Sequence, residues 1–226
     1  VSLVTWQDLC IDAVDVETQS QFWSSVSGLE LADVESPARL HGPTPRHTLW
    51  VNPVDRPHRV KNRVHLDVYC SSVEALVALG ATVLAPSSET GRGWTVMADP
   101  EGNEFCAFVR RPGELPDYRL HGIGIDCRDP EAQARWWGEA FGAEPAYQPE
   151  HDVWTLTGVA VDDRMTLDFA PVPEPRTEPN RVHWDVKGLV PELLARGATH
   201  LWDQPHWTVL ADPEGNEFCV FPPTAS

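Results

Sequence analysis

Residues Ala98–Phe108 read ADPEGNEFCAF and residues Ala211–Phe221 read ADPEGNEFCVF, ten identities in eleven positions. The offset is 211 − 98 = 113 in a chain of 226 residues, so the second half repeats the first. Two further matches anchor the alignment. Asn62–Val68 (NRVHLDV) returns as Asn180–Val186 (NRVHWDV), an offset of 180 − 62 = 118, and Glu17–Gly28 (ETQSQFWSSVSG) returns loosely as Glu131–Gly142 (EAQARWWGEAFG), an offset of 131 − 17 = 114. Offsets this close imply similar units that differ by loop insertions, the longest around Pro86–Gly93. The boundary falls in the polar, Pro- and Gly-bearing stretch Arg111–Asp117, which gives two domains, 1–113 and 114–226.

A finer period runs inside each half. A strand, a short amphipathic helix and several strands recur over roughly 55 residues, predicting four βαβββ modules at about 1–57, 58–113, 114–177 and 178–226. In the first module Leu9, Ile11 and Ala13 alternate with Cys10 and Asp12, the period of a half-buried strand. Asp15 is placed to cap a helix carrying Phe22, Trp23 and Val26, and Gly28 to end it. In the second, Val64, Leu66 and Val68 alternate with Arg63, His65 and Asp67; Ser72 caps a helix that runs to Gly80. Strands around Ala81–Leu84, Trp94–Ala98 and Glu104–Val109 follow, with Asp99–Asn103 as the last turn. Parity then puts Arg63, His65 and Asp67 together on the face away from the helices, and likewise Arg181, His183 and Asp185. The fold class is α+β.

Composition narrows the partners. Hydrophobic residues make up 42% and charged residues 23%, as in globular domains, which excludes disordered and fibrous classes. Asp plus Glu number 34 against 17 Lys plus Arg, so a net charge of −17 repels nucleic acid and anionic membrane surfaces. No apolar run reaches the ~18–20 residues of a membrane span, and Val1–Asp15 has no signal-peptide pattern, so a cytoplasmic protein is expected. Five cysteines without a C-x-x-C pair are expected as reduced, buried thiols. Of the ten tryptophans, Trp50, Trp94, Trp154, Trp184, Trp202 and Trp207 fall on predicted strands.

Paired βαβββ units, N-R-V-H-x-D-V opening one module and D-P-E-G-N-E-F closing it, resemble the vicinal oxygen chelate superfamily in its glyoxalase-like and bleomycin-resistance-like branch. The resemblance covers nearly the whole chain as two tandem domains. It implies cupped mixed sheets, each built by two modules, with a divalent metal held by one residue from the first and one from the last strand of each module. His65 and Glu104 match the second-module ligands of the first half, and His183 and Glu217 those of the second. The first-strand ligand position falls at Asp8 in one half and at Gly122, which has no side chain to offer, in the other. The last-strand position falls near Trp50 or Asn52, and near Asp168. The resulting sets are Asp8, His65 and Glu104, or Asp168, His183 and Glu217, donors suited to zinc, iron(II), nickel or manganese.

The expected function is accordingly a glyoxalase-like enzyme of lyase or isomerase type acting on a small molecule. A divalent metal in one cleft would polarise a carbonyl or stabilise an enediolate, and Glu104 or Glu217 would move the proton. An extradiol dioxygenase would want a histidine where Gly122 stands. The alternatives are a metal-free drug- or metabolite-sequestering protein and a metal-free acid–base enzyme on the same cleft. Asp67 and Asp185 would line the ligand site, orienting the histidines or neutralising the arginines, and Trp50, Trp94 and Trp207 would stack on a planar ligand. Cys106 and Cys219, two residues after the glutamates on the same face, read as small buried hydrophobes, with a thiolate ligand or nucleophile as the other option. Because duplication supplies module pairing within one chain, a monomer is expected, with a homodimer as the alternative.

Overall fold

The computed structural model describes residues 2–33 and 36–223. The first module comprises β1 (Val4–Ala13), α1 (Val16–Ser27), β2 (Glu30–Asp33), β3 (Ala38–His41) and β4 (Thr48–Pro53). The second comprises β5 (Val64–Cys70), α2 (Val73–Ala78), β6 (Thr82–Ala85), α3 (Ser87–Thr90), β7 (Thr95–Ala98) and β8 (Glu104–Val109). The third comprises β9 (Leu120–Cys127), α4 (Pro130–Phe141), β10 (Ala146–Gln148), β11 (Val153–Leu156) and β12 (Thr166–Pro171). The fourth comprises β13 (Val182–Gly188), α5 (Val190–Leu194), β14 (Thr199–Asp203), β15 (Thr208–Ala211) and β16 (Glu217–Phe221). The extra residues of the second module form α3, while Trp94 and Trp207 sit one residue before their strands. No described helix is long and apolar enough to cross a membrane.

The local signals operate as read. Asp15 Oδ1 accepts the Thr18 N–H at 3.0 Å to cap α1, and Ser72 Oγ accepts the Ala75 N–H at 3.1 Å to cap α2. Gly28 ends α1 at φ 77°, where a Cβ would stand 1.9 Å from the Asp117 carbonyl oxygen, so backbone hand and close approach both demand glycine. On β5, Val64, Leu66 and Val68 are buried toward the helices, leaving His65 and Asp67 on the other face.

The two eight-stranded mixed sheets do not follow the halves. One runs β14-β15-β16-β13-β1-β4-β3-β2, joining the first module to the fourth; the other runs β10-β11-β12-β9-β5-β8-β7-β6, joining the third to the second. At the centre of the first sheet β1 lies antiparallel to β13, with Asp8 opposite Asp185 and Cys10 opposite His183. At the centre of the second β9 lies antiparallel to β5, with Gly122 opposite Asp67 and Gly124 opposite His65. The long helices lie between the sheets. Trp23 of α1, a helix that packs on β2, β3 and β4, also meets Phe105 of the second sheet at 5.5 Å. Trp137 of α4, packed on β11 and β12, meets Trp184 and Phe218 of the first sheet at 4.8 and 4.9 Å. The cup faces therefore point away from the shared core.

The repeated D-P-E-G-N segment is the joint within each half. Asp99 Oδ1 accepts the Glu101 and Asn103 N–H groups at 2.9 Å each, and Oδ2 accepts the Trp23 indole N–H at 3.3 Å. Asp212 repeats this with Glu214, Asn216 and the Trp137 indole at 3.0, 2.9 and 3.1 Å. Glu101 then accepts the Asp15 N–H at 2.6 Å, and Glu214 the Asp129 N–H at 2.8 Å. Each loop thus docks the later module onto the helix start of the earlier one through buried, fully used carboxylates. That structural task accounts for the near-identity of the two copies.

Candidate functional site

In the β5/β9 cup, parity brings His65 and Asp67 from β5 beside Cys106 from β8, and one nitrogen, oxygen and sulfur donor from these residues lie within 4.8 Å of one another. His65 Nε2 stands 3.6 Å from Asp67 Oδ1, an oxygen that is buried and accepts no hydrogen bond from the described residues. The glycines of β9 make the space: a Cβ on Gly124 would lie 2.3 Å from the His65 ring, and one on Gly122 would lie 3.1 Å from Asp67 Oδ2. Asp168 of β12 completes the cluster electrostatically, its two oxygens accepting the Thr155 and Thr166 hydroxyls at 2.6 and 2.5 Å.

The charges are strained by burial. Loss of water, and after it the nearby Asp168 carboxylate, pushes Asp67 up to about 8. Burial also raises Asp168, against the pull of the Thr155 and Thr166 hydroxyls. The Cys106 thiol is pushed far above its ordinary value by burial and then by Asp67, and burial lowers His65, keeping it neutral. Neutral imidazole, carboxylate and thiol in contact form a donor set that a divalent cation would let ionise together.

The β1/β13 cup is built from the corresponding faces with different contents. Cys10, His183 and Asp185 form its donor cluster, and Cys219 Sγ lies 3.9 Å from His183 Nε2. Asp8 stands across from Asp185 and is pushed up to about 7, by burial first and the Asp185 carboxylate second. Asp8 Oδ2 accepts the Trp50 indole and the Gln7 amide at 3.2 Å each, while Asp185 accepts the Cys219 N–H at 3.2 Å and the Cys10 thiol at 3.6 Å. The carboxylate has changed strands between the cups. Cys10 is opposite Trp50 where Gly124 is opposite Asp168, and Asp8 fills the place that Gly122 leaves empty.

The sequence profile of the family described as "Glyoxalase-like domain" matches residues 8–108 and again residues 122–221. The chain belongs to this family. It is a member of the vicinal oxygen chelate superfamily in tandem form. Its fold is similar to glyoxalase I from Zea mays, with a TM-score of 0.70 and 13% identity over 97% of this chain and 92% of that one. It is also similar to the cppA protein from Streptococcus pneumoniae TIGR4, with a TM-score of 0.51 and 12% identity over 97% of this chain and 100% of that one. No curated protein matches the sequence.

Within this glyoxalase-like frame the ligand sets expected from sequence are exchanged. Asp8 belongs with His183 and Asp185, and Asp168 with His65 and Asp67, because the sheets pair modules across the halves. Glu104 and Glu217 lie outside both donor clusters. Glu104 Oε2 accepts the Asn62 N–H at 3.0 Å and faces His58 Nε2 at 3.4 Å. Glu217 is held by Arg176 and accepts the Asn180 N–H at 3.2 Å. Trp94 and Trp207 stack on Phe108 and Phe221, each at 5.4 Å, and Trp50 is tied to Asp8. Sequence reasoning missed Cys10 and Gly124, although both share the cup parity of residues it singled out. It also weighted Cys106 toward packing, because the thiol's neighbours come from other strands.

Proposed function

We propose that the protein is a glyoxalase-like enzyme of lyase or isomerase type that acts on a small molecule in the β5/β9 cup, with a divalent metal held by His65, Asp67 and Cys106. The observation that carries this is the convergence of nitrogen, oxygen and sulfur donors within 4.8 Å, together with the buried, unpartnered Asp67 Oδ1. Zinc and iron(II) suit that donor set best among zinc, iron(II), nickel and manganese, since thiolate favours the softer ions. A metal held by these residues would supply Lewis-acid polarisation of a carbonyl or enolate oxygen. Gly124, having no side chain, lets the His65 ring pack directly against its backbone, in the space a Cβ would fill. Asp168, steadied by two threonine hydroxyls, is the carboxylate left to accept or return a proton on the substrate. Glu104 and Glu217, engaged by backbone and side-chain donors, serve this reading by fixing the loops that enter the cups.

The β1/β13 cup favours a metal-free role, because the Asp185 oxygens are already engaged by the Cys219 N–H and the Cys10 thiol, and Oδ2 of Asp8, its second carboxylate, accepts the Trp50 indole and the Gln7 amide. The test is elemental analysis of protein purified without chelator or His-tag, repeated on His65→Ala and His183→Ala. About one divalent ion per chain, lost in His65→Ala and kept in His183→Ala, is expected. No ion after reconstitution, or loss only in His183→Ala, overturns the assignment.

A further inference from the structure

A cavity of about 190 Å³ opens where the β5/β9 cup meets the loop joining β15 to β16. It has room for about six waters at ~30 Å³ each, and so for a carboxylate or phosphate on a short stem. Arg63, Arg128 and Arg176 line it together with Asp126, Glu174 and Glu214. Arg63 and Asp126 stand two residues from His65 and Gly124 with the same cup-facing parity, so the cavity adjoins the proposed site.

The lining charges are unequally satisfied. Asp126 is taken by Lys61, and Glu214 accepts the Arg128 and Asp129 backbone N–H groups at 2.9 and 2.8 Å. Arg63 donates Nη2 to the Pro175 carbonyl at 3.2 Å and Arg176 pairs through Nη2 with Glu217, but among the described residues the buried Arg63 Nη1 has no hydrogen-bond acceptor, its nearest carboxylates standing at 3.7 and 3.8 Å, and the buried Arg176 Nε has none either. Buried guanidinium N–H groups without acceptors are costly, and an anionic oxygen is their natural complement. The repeat supplies an internal comparison. At the corresponding corner of the other cup Arg181 donates through both terminal nitrogens, to Glu101 at 2.7 Å and to the Arg56 carbonyl, leaving only its buried Nε without an acceptor among the described residues. Arg63 and Glu214 form no such pair: both Glu214 oxygens accept backbone N–H groups at the start of α4, whereas Glu101 gives one oxygen to Asp15 and keeps the other for Arg181.

We propose that this cavity is an anion subsite, in which Arg63, Arg176 and Arg128 receive the carboxylate or phosphate of the substrate while its reacting oxygen reaches toward His65. Its role as a substrate subsite rests on the proposed reading of the β5/β9 cup; anion binding itself rests on this corner alone. Isothermal titration of the full chain, treated with EDTA, with inorganic phosphate and separately with acetate tests it, alongside Arg63→Gln and the exposed Arg128→Ser. Saturable binding of at least one probe is expected, weakened roughly tenfold or more in Arg63→Gln and by a smaller factor in Arg128→Ser. Phosphate without acetate assigns a phosphorylated substrate, and acetate without phosphate a carboxylic acid. If Arg63→Gln fails to fold by circular dichroism, Arg128→Ser and Arg176→Gln decide. No saturable binding of either probe, or affinities unchanged in the folded variants, overturns the proposal. Anion binding in a chain that takes up no metal would overturn the metal reading and leave the anion site standing.

Discussion

In metal-free protein, replacing Asp67 with Asn should make folding less sensitive to pH, and the sign follows from burial. The folded carboxyl titrates at about 8 against 3.8 for its ordinary value, so between those values the folded state keeps a proton that the unfolded chain has lost. Stability is therefore full below about pH 4, falls as pH rises, and levels off above about 8. A shift of about 4 units at about 1.36 kcal/mol per unit sets a ceiling on the order of 5 kcal/mol, and relaxation of the buried site brings the expected loss to roughly 2–4 kcal/mol. Asp8, pushed up to about 7, contributes with the same sign over about pH 4–7, so the informative quantity is the difference between wild type and Asp67→Asn. That substitution should stabilise by roughly 2–4 kcal/mol at pH 8 and leave stability near wild type at pH 4.5. Urea unfolding followed by tryptophan fluorescence, in EDTA at fixed ionic strength from pH 4.5 to 9, measures both curves. Parallel curves, differing by a constant within about 0.5 kcal/mol, would refute the claim that Asp67 is held protonated by its surroundings.

Gly124→Ala places a methyl group against the His65 ring and should weaken zinc affinity by roughly 10–100-fold with the fold retained; competition with a chromophoric chelator reads this directly. Zinc uptake should release protons from Asp67 and Cys106 and strengthen as pH rises from 6 to 8, which calorimetry in buffers of different ionisation enthalpy will register. Asp212→Ala strips the acceptor from Asn216, Glu214 and the Trp137 indole and should cost roughly 3–5 kcal/mol in urea unfolding. Gly28→Ala meets both a positive φ and the Asp117 carbonyl, and a loss below about 1 kcal/mol would show that this turn relaxes more easily than its geometry implies.

The duplication, the βαβββ modules and the cup-facing identity of Arg63, His65, Asp67, Arg181, His183 and Asp185 were all legible in the sequence. They depend on short-range rules: period-two alternation, helix caps at Asp15 and Ser72, and a turn motif repeated almost letter for letter. The partner of each cup-facing residue was not legible. NRVHLDV and NRVHWDV offer β1 nearly the same edge, so no local signal tells it to pair with β13 rather than β5. Helix packing between the sheets and the D-P-E-G-N joints select one arrangement from two that are locally equivalent. That selection sends Asp8 to Asp185 and Asp168 to Asp67, brings Cys106 beside His65, and leaves the Arg63 corner open where its Arg181 counterpart is shut. Backbone pairing sets Leu9 against Trp184, 184 − 9 = 175 residues away, and desolvation couples Asp67 to Asp168, 168 − 67 = 101 residues away, so the sequence by itself determined the faces and only the tertiary structure decided which faces meet.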